Sequence, residues 1–315
     1  MVSAVTGDGT IVPEGPADDM AQPFQIEASN LRGRLIRLDG ALDQIVSAHA
    51  YPEPVARLLG ETVLLAAMLG SALKFEGVFT LQARGDGAVS MLVADVTSDG
   101  NLRGYARVDP ERLAEGAAPE VPALLGDGLL AFTVDQGEFS EPYQGIVELS
   151  GRTLADCLQH YFRQSEQIDA GMRVAVDRRD GRWRGGALMV QRLPDQDRVV
   201  PSHAEDDWRR AMVLMNACTD DELLDPGLSP NVLLYRLFHE DGVRVFRPAT
   251  FRQRCRCSRD RVARILAALP PEEVQACKTE DEDVVVIRCE FCNAAYRFGD
   301  DDLAEVYGET GSRPQ

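Results

Sequence analysis

In the N-terminal two thirds of the chain, segments with the hydrophobic period of a strand alternate with segments that have the period of a helix. Residues 31–38 alternate apolar and polar side chains as a half-buried strand does, and Asp39-Gly40 supplies turn residues at its end. Two helices are expected next, over residues 41–49 and 54–73. In the second of these, apolar residues recur at helical spacing, which predicts a stripe facing the core. The region therefore mixes strands with helices from its start.

From residue 74 the pattern changes to short β-rich runs separated by Gly-Asp-Gly and Ser-Asp-Gly turns, which predicts an antiparallel meander. The predicted strands are 75–83, 88–96, 102–108, 129–134, 143–149, 173–176 and 186–191, and a helix is predicted over 153–164. Helices and hairpins without a βαβ rhythm indicate an α+β fold. We expect an N-terminal domain with a largely antiparallel sheet over 24–193, preceded by a disordered tail over 1–23.

After residue 193 the chain becomes acidic and helical, with only short apolar runs. An amphipathic stretch over 206–217 carries Met212 and Met215, which we interpret as core residues. Thr219-Asp-Asp-Glu222 has the pattern of a capping box, and Ser229-Pro230 provides a cap and a first-turn proline for a helix to residue 238. We interpret 194–244 as a helical linker that lacks an independent core.

The remaining residues form a small C-terminal module, predicted over 245–307 and followed by a tail over 308–315. Ser258 can cap a helix over 259–269, which ends at two prolines, and a strand over 284–288 leads into Cys289. Few large apolar side chains occur in this module, so we expect its own core to be small.

Length and charge narrow the class of protein. A chain of 315 residues suffices for about two domains, and an apolar fraction of 44% is ordinary for a globular protein. The net charge of −18 argues against a general nucleic-acid binder, because phosphate would be repelled on average. No stretch approaches a membrane span and no signal peptide is evident, so we expect a cytoplasmic protein without a membrane partner.

Four of the seven cysteines have the spacing of a metal site. Cys255 and Cys257 form a C-x-C pair, and Cys289 and Cys292 form a C-x-x-C pair 31 residues further on. Two close pairs can supply the four thiolates of one tetrahedral Zn²⁺. Each pair is also close enough in sequence to close on itself as a disulfide. The spacing thus allows either a purely structural zinc site or a redox switch.

The other chemistry-bearing residues fit no site. We expect Cys277 to be a loop thiol, and Cys157 and Cys218 to be small core residues. No histidine has metal spacing to another; the four are His49, His160, His203 and His239. The six arginines over 252–264 are interpreted as a solvated helix face. No P-loop, nucleophile elbow or dinucleotide fingerprint is present, so no enzyme is predicted.

The cysteine segments and two others carry a resemblance to a known family. They are Cys255-Arg-Cys257, Cys289-Glu-Phe-Cys292-Asn293 with Tyr296 and Phe298 following, Tyr161-Phe-Arg-Gln-Ser-Glu-Gln167, and Leu237-Phe-His-Glu240. From about Phe24 to Val306 the chain resembles the redox-regulated 33-kilodalton chaperonin family of bacteria, heat shock protein 33. The N-terminal extension before Phe24 departs from it.

The resemblance implies a chaperone that holds unfolding proteins without ATP. Its reduced form would be inactive, with one zinc ion on Cys255, Cys257, Cys289 and Cys292. Oxidation would release zinc, form the disulfides Cys255–Cys257 and Cys289–Cys292, and unfold the linker; the active form would be a homodimer that binds unfolded clients. The alternatives are a constitutive zinc-ribbon interaction or nucleic-acid module, and a thiol oxidoreductase that uses Cys289 and Cys292.

Overall fold

The computed structural model describes residues 18–137, 143–193, 204–279 and 283–310. The chain divides into two compact units, Met1–Arg254 and Cys255–Gln315. Residues 1–17 of the predicted disordered tail therefore lie outside the described residues. The predicted start of order at Phe24 is wrong, because a paired strand already begins at Met20.

The first unit contains two six-stranded sheets and seven α-helices within the described residues. Its strands are β1 (Met20–Ile26), β2 (Leu31–Leu38), β3 (Val78–Gly85), β4 (Val89–Thr97), β5 (Asn101–Val108), β6 (Gly128–Asp135), β7 (Tyr143–Glu148), β8 (Ala170–Arg179), β9 (Arg182–Arg192), β10 (Val243–Val245), β11 (Ala249–Thr250) and β12 (Arg252–Gln253). Its helices are α1 (Gly40–Val46), α2 (Glu53–Ala72), α3 (Val121–Leu124), α4 (Leu154–Gln164), α5 (Ala204–Ala217), α6 (Asp220–Leu224) and α7 (Pro230–Phe238).

Pairing within the sheets is almost entirely antiparallel. The first sheet has the order β10-β1-β2-β9-β8, with β11 also pairing β1, and the second has the order β12-β5-β4-β3-β6-β7. Only the short β12 runs parallel to its neighbour β5 among the described strands. The predicted α+β class with a largely antiparallel sheet is confirmed, although the strands form two sheets rather than one.

Helix α2 is buried between the two sheets. It contacts β2, β8 and β9 of the first sheet and β3, β4 and β5 of the second. Two glycines allow α2 to approach both sheets closely. A Cβ on Gly60 would lie 2.7 Å from Val176 Cγ1 of the first sheet, and a Cβ on Gly70 would overlap Val96 of the second. A helix that is apolar on most of its surface belongs in such a position.

By length and composition alone, α2 is apolar enough to cross a membrane. Inside the protein, however, 78% of its apolar window is buried, as in the core helix of a globular fold. The expectation that no stretch approaches a membrane span therefore underestimated this helix. Its apolar character serves packing against two sheets at once.

The first sheet also buries its outer face, under helices α5, α6 and α7. Side chains alternate along β2, so that Ile36 packs toward α2 while Leu35 packs toward these three helices. The outer cluster includes Met215, Leu234 and Phe238, and the Phe238 ring stacks on Phe24 at 5.6 Å. The predicted linker thus has a substantial core, which it shares with the sheet.

Buried Arg37 joins the outer helices to the first sheet by hydrogen bonds. This β2 residue is 1% exposed, and its guanidinium donates to the carbonyl oxygens of Glu222 (2.9 Å), Asp225 (2.8 Å) and Leu228. The carbonyls belong to α6 and to the turn that follows it. Because its guanidinium is buried and donates to all three carbonyls, the arginine holds this turn against the sheet.

The boundary between the linker and the C-terminal module was predicted at 244/245, but the two compact units divide after Arg254. Val243–Val245 and Ala249–Thr250 pair with β1, and Arg252–Gln253 pairs with β5, so the first unit continues to Arg254. These partners lie more than a hundred residues away in sequence. Pattern within 240–254 alone could not reveal them, because strands of two or three residues carry no periodicity.

The second unit contains α8 (Arg259–Leu266), α9 (Pro271–Gln275), β13 (Val285–Arg288), β14 (Ala295–Phe298) and α10 (Asp300–Thr310). Strands β13 and β14 form an antiparallel hairpin. Helix α10 occupies part of the segment that was predicted to be a tail from residue 308. Its start is capped by Asp302, whose carboxylate accepts from the Gly299 amide at 2.9 Å.

Candidate metal centre

The second unit has a small apolar core for its length. Among the described residues of this unit, six buried side chains form the core: Val262, Leu266, Val274, Val285, Phe298 and Leu303. Arg259 extends this core, since its guanidinium lies 4.4 Å over the Phe298 ring and pairs with Asp302 at 2.6 Å. A unit of about 60 residues with so little buried apolar surface is marginally stable without a further cross-link.

Cys255 and Cys257 lie on the short loop that precedes α8. The loop ends where the Ser258 hydroxyl accepts a hydrogen bond from the Arg261 amide at 3.2 Å, as predicted for the cap of this helix. The cap fixes where the chain turns into α8. Both cysteines therefore lie on one short segment just before this cap.

Cys289 and Cys292 lie on the turn of the β13–β14 hairpin. The Cys289 amide donates to the Ala294 carbonyl at 2.9 Å, and the Asn293 amide donates to the Cys289 carbonyl at 2.8 Å. Asn293 has a φ of 58°, in the left-handed region that asparagine tolerates better than most residues. This tight turn brings both thiols to the same side of the hairpin.

The structure brings all four predicted cysteines together. Their Sγ atoms all lie within 4.8 Å of one another, with 3.6 Å from Cys255 to Cys289 and 3.3 Å from Cys257 to Cys292. A tetrahedral ion with Zn–S bonds of about 2.3 Å needs sulfurs about 3.8 Å apart. The thiols are free, so the donor set and its spacing fit one zinc ion.

Hydrogen bonding and burial both act on these thiols. Burial raises the pKa of the Cys292 thiol, so that the neutral form is favoured when no cation is near. The Tyr296 hydroxyl donates to Cys257 Sγ at 3.1 Å, and this bond raises the pKa of Tyr296 to about 12. A bound cation would reverse the preference and hold the sulfurs as thiolates.

Tyr296 is a contributor that sequence reasoning missed as a hydrogen-bond donor. It lies on β14 opposite Ile287, and its ring is directed to the cysteine cluster only because the hairpin has this register. The available signal was a tyrosine four residues after Cys292. A donor to a thiolate stabilises its negative charge, so Tyr296 suits a metal-bound sulfur.

The remaining cysteines and histidines stay outside the cluster. Cys157 and Cys218 are fully buried, and burial raises the pKa of both thiols, that of Cys218 to about 11. Cys277 is exposed, as expected of a loop thiol. Among the residues that the structure describes, no histidine joins a metal-ligating group, and His203 lies outside them.

Comparison with known proteins identifies relatives over most of the chain. The family model described as Hsp33 protein matches residues 19–299. A 33 kDa chaperonin of Caulobacter vibrioides is 42% identical over 297 residues, which cover 91% of this chain and 97% of that protein. A 33 kDa chaperonin of Azotobacter vinelandii is 39% identical over 295 residues, with coverages of 93% and 96%.

A solved structure shares the fold. The crystal structure of a 33 kDa chaperonin (heat shock protein 33 homolog) from Thermotoga maritima matches with a TM-score of 0.77. The match covers 94% of this chain and 100% of that one, at 22% sequence identity. At this identity the likeness concerns the fold, while the family assignment depends on the sequence matches.

Proposed function

This chain belongs to the Hsp33 family of chaperones, and we propose that it is a redox-regulated holdase that needs no ATP and catalyses no reaction. The observation that carries the proposal is the cluster of four cysteine sulfurs within 4.8 Å, in a unit whose described residues include six buried core side chains. Such a unit depends on its cross-link for folding. Its fold is therefore sensitive to the redox state of the cysteines.

In the reduced state Cys255, Cys257, Cys289 and Cys292 would hold one Zn²⁺ per chain. The ion would keep the thiols deprotonated and tie the loop before α8 to the β13–β14 hairpin. Structural zinc in small peptides is worth about 10–16 kcal/mol at neutral pH, which exceeds the stability of most whole domains. The second unit would then be folded in this state and the chaperone inactive.

Oxidation removes the ligands in pairs. Within each pair, two thiolates lose two electrons and form one disulfide; with hypochlorous acid, the oxidant takes up the electrons and a proton and becomes chloride and water. We assign the bonds Cys255–Cys257 and Cys289–Cys292, as the family resemblance implies. Disulfide sulfurs are poor ligands, so the cross-link between the two cysteine turns is lost and the second unit unfolds.

Release of helices α5–α7 would expose the surface that holds clients. Beneath these helices lies an apolar sheet face that includes Phe24, Leu35, Leu188 and Val190. Helices α6 and α7 have only 5 and 9 residues, and exposed ion pairs such as Arg173–Asp220 add little to the stability of this layer. We propose that this face and the released helices bind unfolding proteins, and that the oxidised chain acts as a cytoplasmic homodimer without nucleic-acid or membrane partners.

The test is light scattering from a heat-unfolding client protein in the presence of this chain. One sample is reduced and zinc-loaded, and the other is oxidised beforehand with hypochlorous acid. We expect only the oxidised chain to suppress aggregation, at stoichiometric amounts. Equal failure of both forms would favour a constitutive zinc-ribbon module, and catalytic disulfide reduction would favour an oxidoreductase.

A further inference from the structure

A cavity that the proposed switch does not use lies in the first unit, at the end of α2 between the two sheets. Its volume is about 430 Å³, within the range of roughly 300–1,000 Å³ of small-molecule sites. We call it the aromatic cavity, since six aromatic side chains line it: Phe75, Phe79, Phe132, Tyr143, Tyr161 and Phe162. Two of them belong to the segment 161–167, whose sequence the proposed switch leaves without a role.

The aromatic wall is held in place by its own contacts. The Phe132 ring meets Tyr161 edge-on at 5.0 Å and Tyr143 at 6.1 Å. Glu166 Oε1 accepts hydrogen bonds from the hydroxyls of Tyr161 at 2.7 Å and Tyr143 at 2.9 Å. The rings are therefore preorganised for a flat apolar body, which costs little ordering entropy on binding.

Three charged residues line the cavity, and their sum is one positive charge. Arg32 and Lys74 are the cations and Glu166 is the anion. Glu166 is occupied by the two tyrosine hydroxyls, and neither cation forms an ion pair with any residue that the structure describes. Arg32 uses its Nε to donate to Gln191 Oε1 at 3.3 Å. One negative charge on a ligand would balance this lining.

We propose that the aromatic cavity binds a small arylalkyl carboxylate. The aromatic body would lie against the phenylalanine and tyrosine rings, and the carboxylate would accept hydrogen bonds from Arg32 and Lys74. All of the lining belongs to the first unit and contains no cysteine. Binding is therefore independent of the redox state of the second unit, and it stabilises the folded first unit by mass action.

Isothermal titration of the reduced, zinc-loaded full chain tests this proposal. The probes are naphthylacetate and its neutral counterpart naphthylethanol, which share the aromatic body and differ in the anionic group. We expect the acid to bind at least about tenfold more tightly than the alcohol, the value of one hydrogen bond to a charged group. The acid is also expected to raise the unfolding temperature of the first unit.

The variant R32Q/K74Q removes both cations from exposed positions and should abolish the preference for the acid. The matched control R163Q/R178Q removes two exposed arginines that do not line the cavity, and should keep the preference. Thermal unfolding of each variant verifies that it is folded. Retained preference in R32Q/K74Q would contradict the assignment of the anion site.

Three other results overturn the proposal: no saturable binding of the acid below about 1 mM, equal binding of acid and alcohol, or binding only after oxidation. The last would assign the probe to the face beneath α5–α7. Because acid binding is measured in the reduced protein, and the oxidised chain is titrated only as a comparison, these results are separate from those of the aggregation assay.

Discussion

The inner core of the first unit and the second unit represent opposite ways of holding a fold together. Around α2, apolar side chains from two sheets and several helices form one continuous cluster, and no cofactor is needed to explain its stability. In the described part of the second unit, six buried apolar side chains form a small core, and four clustered thiols are placed to cross-link it through a metal ion. Oxidation leaves apolar burial unchanged but would remove thiols from a metal site, which is why we propose the second unit as the redox sensor.

The outer face of the first sheet lies between these extremes. Helices α5–α7 cover it with apolar contacts, and hydrogen bonds from a buried arginine also hold α6 and the turn that follows it. Polar interactions of this kind are specific to one arrangement and are lost together once the helices move. We expect that these helices can be released without unfolding the inner core around α2.

The largest effect should come from breaking the metal centre. We expect Cys289→Ser to abolish tight zinc binding and to unfold the second unit while the first unit stays folded, because a ligand set worth about 10–16 kcal/mol is incomplete. Zinc stoichiometry and hydrogen exchange in α8–α10 measure this. Cys277→Ser, at an exposed cysteine outside the cluster, is the control and should keep zinc. Full zinc occupancy in the Cys289 variant would show that the ligand assignment is wrong.

The next largest effect concerns the outer face. Arg37→Met removes a buried charged donor that three backbone carbonyls share, which should destabilise the docking of α6 and α7 by about 3–5 kcal/mol. Amide exchange in these helices should accelerate in the reduced protein, which should also begin to suppress aggregation without oxidation.

Arg179→Gln is the matched control for this variant. It removes an ion pair between β8 and Asp221 of α6 in which both side chains are substantially exposed, so it should cost less than about 1 kcal/mol. If the two variants exchange their α6 and α7 amides at the same rate, Arg37 does not hold the helices as we argue.

A third prediction concerns the pH dependence of the first unit. Glu61 on α2 accepts from the Ala155 amide at 3.1 Å, and burial raises its pKa to about 7. Because the folded state binds this proton more tightly than the unfolded chain, the contribution is complete below about pH 4.5 and is lost as pH rises through about 7. Over this pH range the protonation of Glu61 changes the free energy of unfolding by about 3 kcal/mol.

Glu61→Gln keeps an acceptor oxygen but cannot titrate. Urea unfolding of the reduced protein at about pH 5 and about pH 8 should therefore show a smaller loss of stability with rising pH than in the wild type. Glu53→Gln, at an exposed position on the same helix, should leave the pH dependence unchanged. An unaltered pH dependence in the Glu61 variant would count against a raised pKa for this carboxyl.

The smallest effect is expected at the two buried cysteines. Cys157→Ala and Cys218→Ala each remove a small core side chain far from the metal centre in sequence, at a cost of roughly 1 kcal/mol. Zinc stoichiometry and oxidation-dependent aggregation suppression should not change. Loss of oxidative activation in either variant would contradict the four-cysteine switch.

The sequence alone determined the features that depend on neighbouring residues. The capping box at Thr219 and the caps at Ser229 and Ser258 all form, because their partners lie three residues away. The alternation in 31–38 and the stripe in 54–73 predicted β2 and α2 within one residue at either end. The four cysteines were found by spacing, since close pairs restrict what a short turn can do.

Tertiary structure decided what depends on distant partners. Only pairing with β2, β10 and β11 makes Met20–Ile26 a strand, and only the sheet beneath them gives helices α5–α7 a core. In the sequence Arg37 is an ordinary polar residue of a predicted strand. Only in the folded chain does it donate hydrogen bonds to three carbonyls of residues 222–228. The aromatic cavity likewise exists only where both sheets, α2 and α4 converge. The sequence of one segment shows which of its faces is apolar and which is polar. Which other segment packs against each face depends on the fold of the whole chain.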